Sequence, residues 1–238
     1  MVATCDFHRG EDISKILACT TGPDDWKPFL ADPEKHWKAG YSARALALSW
    51  EAADGLPPEV AAALISAPGG VLANPVPYLA VPEYETVLPG GDRPSQTDVM
   101  VMGRANGGAF AMAVEGKVAE SFGPTLGEWR QDASNGKQVR WSFLCATLGL
   151  GEEQDPGLRY QLFHRAASAV LAAHRYHAPM AILLIHSFSA ADAGYQDFTA
   201  FLKLFGAEAR PDTVTRVATL GGTKLYVGWS RGDQQFMV

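Results

Sequence analysis

Residues 97–118 read TDVMVMGRANGGAFAMAVEGKV, two strand-like runs joined through Asn106-Gly107. That pair tolerates positive φ and is a strong short-hairpin signal. With Asn106 and Gly107 at the centre of the turn, Ala105 faces Gly108, and Asp98 falls directly opposite Glu115. Opposed side chains share a sheet face with Cβ atoms roughly 4.5–5.5 Å apart, so two like charges there repel unless something neutralises them. A divalent cation is the obvious neutraliser. An odd-length loop would shift the pairing by one residue and put Asp98 on the other face.

Period-two alternation divides the second run. Phe110, Met112, Val114 and Val118 fall on one face; Ala109, Ala111, Ala113, Glu115 and Lys117 fall on the other. The first face is bulky and core-like, the second small and ending in charge. Glu115 and Lys117 therefore project together beside Asp98, and Gly116 between them leaves its carbonyl open to close approach.

The surrounding elements are legible from pattern. Ser42 is the expected N-cap of a helix over SARALALSWEAADG, ending near Gly55, and Pro57-Pro58 opens a second helix through about Ser66. EYETVL at 83–88 reads as the strand before the hairpin, with Glu83 and Glu85 as solvent-face charges or extra ligands. After the hairpin, RQDASNGKQVR places Arg130, Lys137 and Arg140 in a polar loop, where they can meet phosphates, ahead of a helix from about Val139 to Leu148. LRYQLFHRAASAVLAAHRYH carries an apolar stripe (Leu158, Leu162, Ala166, Ala169, Val170, Ala173) and a polar one holding Gln161, Arg165 and Ser168, as an amphipathic helix does. Pro179 stops it, and MAILLIHSF at 180–188 reads as a strand buried on both faces. Strand, helical crossover and buried strand make a parallel unit. A helix over 195–206 and a strand over 223–230 follow, the latter alternating as an edge strand would.

Asp98 on one strand, Glu115-Gly116-Lys117 on the next, and helices before and after resemble the PD-(D/E)XK, restriction-endonuclease-like superfamily of phosphodiesterases. The resemblance covers about residues 42–188. It implies an α/β fold with a mixed central sheet flanked by helices in the order α-β-β-β-α-β. From length and composition a single domain is expected, with an N-terminal arm (1–41), the nuclease-like core (42–188) and a C-terminal helix-strand extension (189–238). Thr97 rather than proline precedes Asp98, a departure that family tolerates. By the same resemblance Asp98, Glu115 and the Gly116 carbonyl bind Mg²⁺, with Mn²⁺ able to substitute, Lys117 joins them in catalysis, and Glu51, Gln161 and Arg165 support the site. The activity implied is Mg-dependent hydrolysis of a nucleic-acid backbone, DNA before RNA, and many relatives act as homodimers. The alternatives are a catalytically inactive binding or regulatory module of this fold, and an ordinary α/β domain in which Lys117 merely pairs with Asp98 or Glu115 at the surface.

Composition bounds these readings. At 238 residues and 47% hydrophobic content the chain can bury one substantial core. A net charge of −6 excludes a global basic surface but not a local basic cleft. Cys5, Cys19 and Cys145 are odd in number and lack metal-ligand spacing, as in a reduced cytoplasmic protein. The N-terminus lacks an apolar signal core, and no apolar run is long enough to span a bilayer, so no membrane association is expected. A short helix is expected at 11–18. The arm after it should wrap the domain through Trp26, Phe29 and Trp37, although Lys35, His36, Trp37 and Lys38 could instead stack on a nucleic acid. His174 and His177 lack further ligands, and His186 reads as a hydrogen-bonded core residue. No G-x-S-x-G, Walker A or G-x-G-x-x-G motif is present.

Overall fold

The computed structural model of the chain describes residue 20 and residues 22–132 and 134–238. The helix expected at 11–18, with Cys5 and Cys19, lies outside them. In chain order the helices are α1 (Pro33–His36), α2 (Ser42–Ala52), α3 (Pro58–Ile65), α4 (Leu126–Arg130), α5 (Asn135–Leu148), α6 (Tyr160–Arg175) and α7 (Tyr195–Lys203). The strands are β1 (Val76–Thr86), β2 (Ser95–Ala105), β3 (Gly108–Lys117), β4 (Met180–Ser187), β5 (Thr213–Leu220) and β6 (Thr223–Arg231). A 3-10 turn at Pro23–Phe29 opens the arm, and another at Gln234–Met237 closes the chain.

The strands form one open mixed sheet in the order β1-β2-β3-β4-β6-β5. β1, β2 and β3 are an antiparallel meander, β3, β4 and β6 run parallel, and β5 returns antiparallel to β6. The hairpin has the expected register, Ala105 facing Gly108 and Val99 facing Val114. Its turn is fixed from outside, because the Asn106 and Gly107 N–H groups donate to Ala73 and Val71.

Helices cover both faces, giving three layers with a core on each side of the sheet. Phe110, Met112 and Val114 pack with Leu46, Trp50, Val60 and Leu64 from α2 and α3. Ala111 and Ala113 pack on the opposite side with Leu162, Ala166, Ala169 and Val170 of α6. The small face of β3 is thus not a solvent face. Alanines on strand and helix let α6 approach closely, and this carries its polar stripe to the charged end of β3. Every residue of β4 is buried, as its continuous apolar run requires.

Four local expectations are corrected. The edge position belongs to β5, not to the strand at 223–230, which pairs on both sides as β6. TVTRVATL has β-branched residues but few large apolar ones, so β5 escapes a reading based on hydrophobic runs. Ser42 is the first helical residue of α2 rather than its cap; Tyr41 holds the cap position and provides no side-chain bond. α5 starts at Asn135, because the Ser134 hydroxyl caps it by accepting the Lys137 N–H at 3.3 Å. β1 is also longer than the run at 83–88, starting at Val76 and ending at Thr86.

Candidate functional site

Three carboxylates lie side by side across the meander. Pairing of Val99 with Val114 extends by one residue to set Asp98 against Glu115. Here the ladder ends in a side-chain bond, the Gly116 N–H donating to Asp98 Oδ2 at 2.7 Å. On the other side of β2, the pairs Pro82–Val99 and Tyr84–Thr97 bracket Glu83 and Asp98, so these two face each other as well. Glu83 takes φ 51 inside a strand. A positive φ is rare for a residue with a Cβ and marks strain of the kind that gathers at functional sites.

β3 and the crossover helix each supply a counter-charge, Lys117 and Arg165. Glu115 Oε1 accepts from Lys117 Nζ at 2.9 Å and from Gln161 Nε2 at 2.7 Å, and Oε2 accepts from Arg165 Nε. Lys117 also donates to Gln161 Oε1 at 3.1 Å and sits 4.9 Å from the centre of the Phe122 ring. Glu115, Lys117 and Arg165 are 2%, 4% and 7% exposed, so the pairing is buried rather than a surface ion pair. Arg165 is steadied from behind by donating to Ser95 Oγ at 3.0 Å, and Ser95 Oγ lies 2.8 Å from His164 Nδ1.

The electrostatics separate the three acids. Burial alone would raise Glu115, but Arg165 and Lys117 hold it down at about 2. Burial, with Glu115 beside it, pushes Asp98 up to about 7. Burial, then Asp98 and Glu115, push Glu83 up to about 9. Asp98 and Glu83 are therefore under-compensated, and added positive charge would favour their ionised forms.

These groups form the floor of a cleft of about 460 Å³. It is lined by Glu83, Gln96, Asp98, Glu115, Gly116, Lys117, Glu120 and Arg165 from the sheet side and α6; Tyr41, Ser42 and Ala43 from the start of α2; and Leu30, Ala31, Lys35 and His36 from the arm. The first N–H groups of a helix lack intrahelical partners, so the uncapped start of α2 presents partial positive charge to the cleft.

Asp98, Glu115, Gly116, Lys117 and Arg165 are thus brought together, and Gln161 joins through its bonds to Glu115 and Lys117. Glu51 is not. It lies nine residues along α2 from Ser42, roughly 13 Å at helical rise, and its carboxylate accepts the Trp26 indole N–H at 2.6 Å. Sequence shows that a helix precedes the meander but not which of its ends opens on the cleft. The cations of the 130–140 segment do not line the cleft: Arg140 donates to the carbonyls of Leu88, Pro89 and Gly91, Arg130 lies over Trp141, and Lys137 is 5.8 Å from the centre of the Trp129 ring. Glu120 accepts the Val118 and Ala119 N–H groups at the rim. His174 and His177 line a separate cavity, and His186 is a buried core residue, bonded to Trp50 and Glu59. Among the described residues, no group of three or more His, Cys, Asp or Glu side chains is arranged to hold a metal ion. No helix among them is long and apolar enough to cross a membrane.

A family model described as a domain of unknown function, DUF6946, matches residues 19–234. The chain belongs to that family. The match takes in both the arm and the sheet, so the cleft of this DUF6946 domain is built wholly inside it. No curated protein and no solved structure matches the chain.

Proposed function

We propose that this DUF6946 domain is a metal-dependent phosphodiesterase of restriction-endonuclease-like type, hydrolysing a nucleic-acid backbone. The observation that carries the reading is the meeting of Asp98, Glu115 and Lys117 in one cleft, with Gln161 and Arg165 delivered to it by the crossover helix. The order of elements agrees: helices, an antiparallel meander bearing Asp98 and Glu115-Gly116-Lys117, a crossover helix, and a fourth strand parallel to the third.

The donors on offer are oxygens, the chemistry that a hard divalent cation takes. Carboxylates of Asp98 and Glu83 stand next to each other across β1 and β2, and both are held away from full ionisation by burial and by the carboxylates beside them. Asp98, Glu115 and the Gly116 carbonyl would hold Mg²⁺ or Mn²⁺, with Glu83 adjacent. Bound there, the ion would supply Lewis acidity toward a phosphate oxygen. Lys117 donates hydrogen bonds to the attacking water or to the phosphate oxygen on which charge grows. Arg165 and Gln161 hold Glu115 and keep the buried charge balanced. One water-oxygen to phosphorus bond forms and one phosphorus to ester-oxygen bond breaks. The water gives its proton to solvent, and the leaving alkoxide takes one.

One observation favours a non-catalytic binding module instead: both Glu115 oxygens are engaged by Lys117, Gln161 and Arg165. The deciding experiment offers single- and double-stranded DNA and RNA with Mg²⁺ or Mn²⁺ to wild type, Asp98→Ala and Lys117→Ala. Metal-dependent cutting lost in both folded variants supports the phosphodiesterase. Nucleic-acid binding without cutting in any condition supports the module.

A further inference from the structure

The arm forms a wall of the cleft, and it is fastened at both sides of it. Trp26 donates to Glu51 at 2.6 Å on α2, and Gln96 of β2 donates to the Phe29 carbonyl at 3.2 Å. Between these fastenings and α2 the chain runs through Leu30, Ala31, Lys35 and His36, all of which face the cleft. Trp37, by contrast, is turned aside and donates to Asp24 at 3.1 Å. Tyr41, 44% exposed, stands at the rim where the arm meets α2.

We infer that Lys35, His36 and Tyr41 form a subsite on this wall that takes a single nucleic-acid strand or a frayed strand end, in preference to continuous duplex. The inference rests on the phosphodiesterase reading of the same cleft. Two observations lead to it. With the arm wall pinned at two places, the carboxylate floor is reached from inside a slot rather than from an open face. A net charge of −6 provides no general basic surface to hold a second strand alongside. Within the slot, a backbone phosphate meets the Lys35 ammonium and the His36 ring while an unstacked base lies on Tyr41, the combination by which single strands are bound with little sequence preference.

The test uses the full chain carrying Asp98→Asn, chosen to stop cutting while leaving the arm unchanged, and a short labelled oligodeoxynucleotide as single strand, blunt duplex and frayed duplex. Single strand and frayed end are expected to bind about tenfold more tightly than blunt duplex, with Lys35→Ala/His36→Ala and Tyr41→Ala each removing most of that preference. These side chains are at the surface, so folding is checked simply by circular dichroism. Equal binding of single strand and blunt duplex, or a preference unchanged in all the arm variants, overturns the inference. Cutting of blunt duplex by the wild type at the single-strand rate overturns it while leaving the phosphodiesterase standing. Absence of binding and cutting with every nucleic acid, by a folded chain supplied with Mn²⁺, overturns both.

Discussion

Arg165 on α6 reaches across to Glu115 on β3 and donates to one of its oxygens, and both side chains are almost fully withdrawn from water. A buried pair of this kind contributes modestly relative to an apolar replacement, but removing one partner strands the other. Arg165→Met should therefore cost about 3–5 kcal/mol in urea unfolding. Combining it with Glu115→Gln should recover much of the loss. A double variant no more stable than Arg165→Met alone would show that the guanidinium acts through packing rather than through the carboxylate.

The pH profile should have two limbs of opposite origin. Glu115 is held at about 2, below its ordinary range, so its contribution is present above about pH 4.5 and lost as pH falls toward 2. Asp98 and Glu83 are raised to about 7 and about 9. Their contribution is full below about pH 4 and lost as pH rises through those values, because the folded chain then binds more protons than the unfolded one. In EDTA the melting temperature should decline from pH 5 to pH 9, and Glu83→Gln should flatten that decline. An unchanged slope in Glu83→Gln would remove Glu83 from the account.

Divalent cations should act against the alkaline limb. Mg²⁺ or Mn²⁺ favours ionised carboxylates, so the rise in melting temperature on adding the ion should be larger at pH 8 than at pH 6. Asp98→Asn should abolish the response while retaining an oxygen that can accept the Gly116 N–H. A metal response surviving in Asp98→Asn would place the ion elsewhere.

Away from the cleft, His186 is fully buried, with Nδ1 3.4 Å from the Trp50 indole nitrogen and Nε2 2.9 Å from Glu59. The indole can only donate, so Nδ1 accepts and Nε2 carries the proton toward Glu59. His186→Leu should destabilise the fold by about 1–3 kcal/mol and raise the Glu59 carboxyl, which the histidine bond now holds below its ordinary value. Thermal melts and carboxyl titration by NMR check the two parts separately.

What was legible in the sequence was whatever has a short period or a local turn. Asn106-Gly107 fixed the hairpin, and the hairpin register alone put Asp98 beside Glu115. The polar stripe of α6 likewise places Gln161 and Arg165 on one helix face. What was not legible depends on tertiary placement. Glu51 faces Trp26 because α2 presents its start, not its end, to the cleft. Glu83 is aimed by a positive φ that no propensity predicts for glutamate. Arg140 is spent on carbonyls of a loop about fifty residues earlier in the chain, and only the packing of α5 brings them together.

The row of carboxylates has a consequence in simple charge. Glu83, Asp98 and Glu115 carry three negative charges when ionised, and Lys117 and Arg165 carry two positive ones, leaving a deficit of one. At neutral pH a proton retained on Glu83, which is raised to about 9, cancels it. A divalent ion replacing that proton leaves a surplus of one instead. On the proposed phosphodiesterase reading, one phosphodiester, bearing one negative charge, would return the cleft to neutrality, so that ion and backbone phosphate would complete each other.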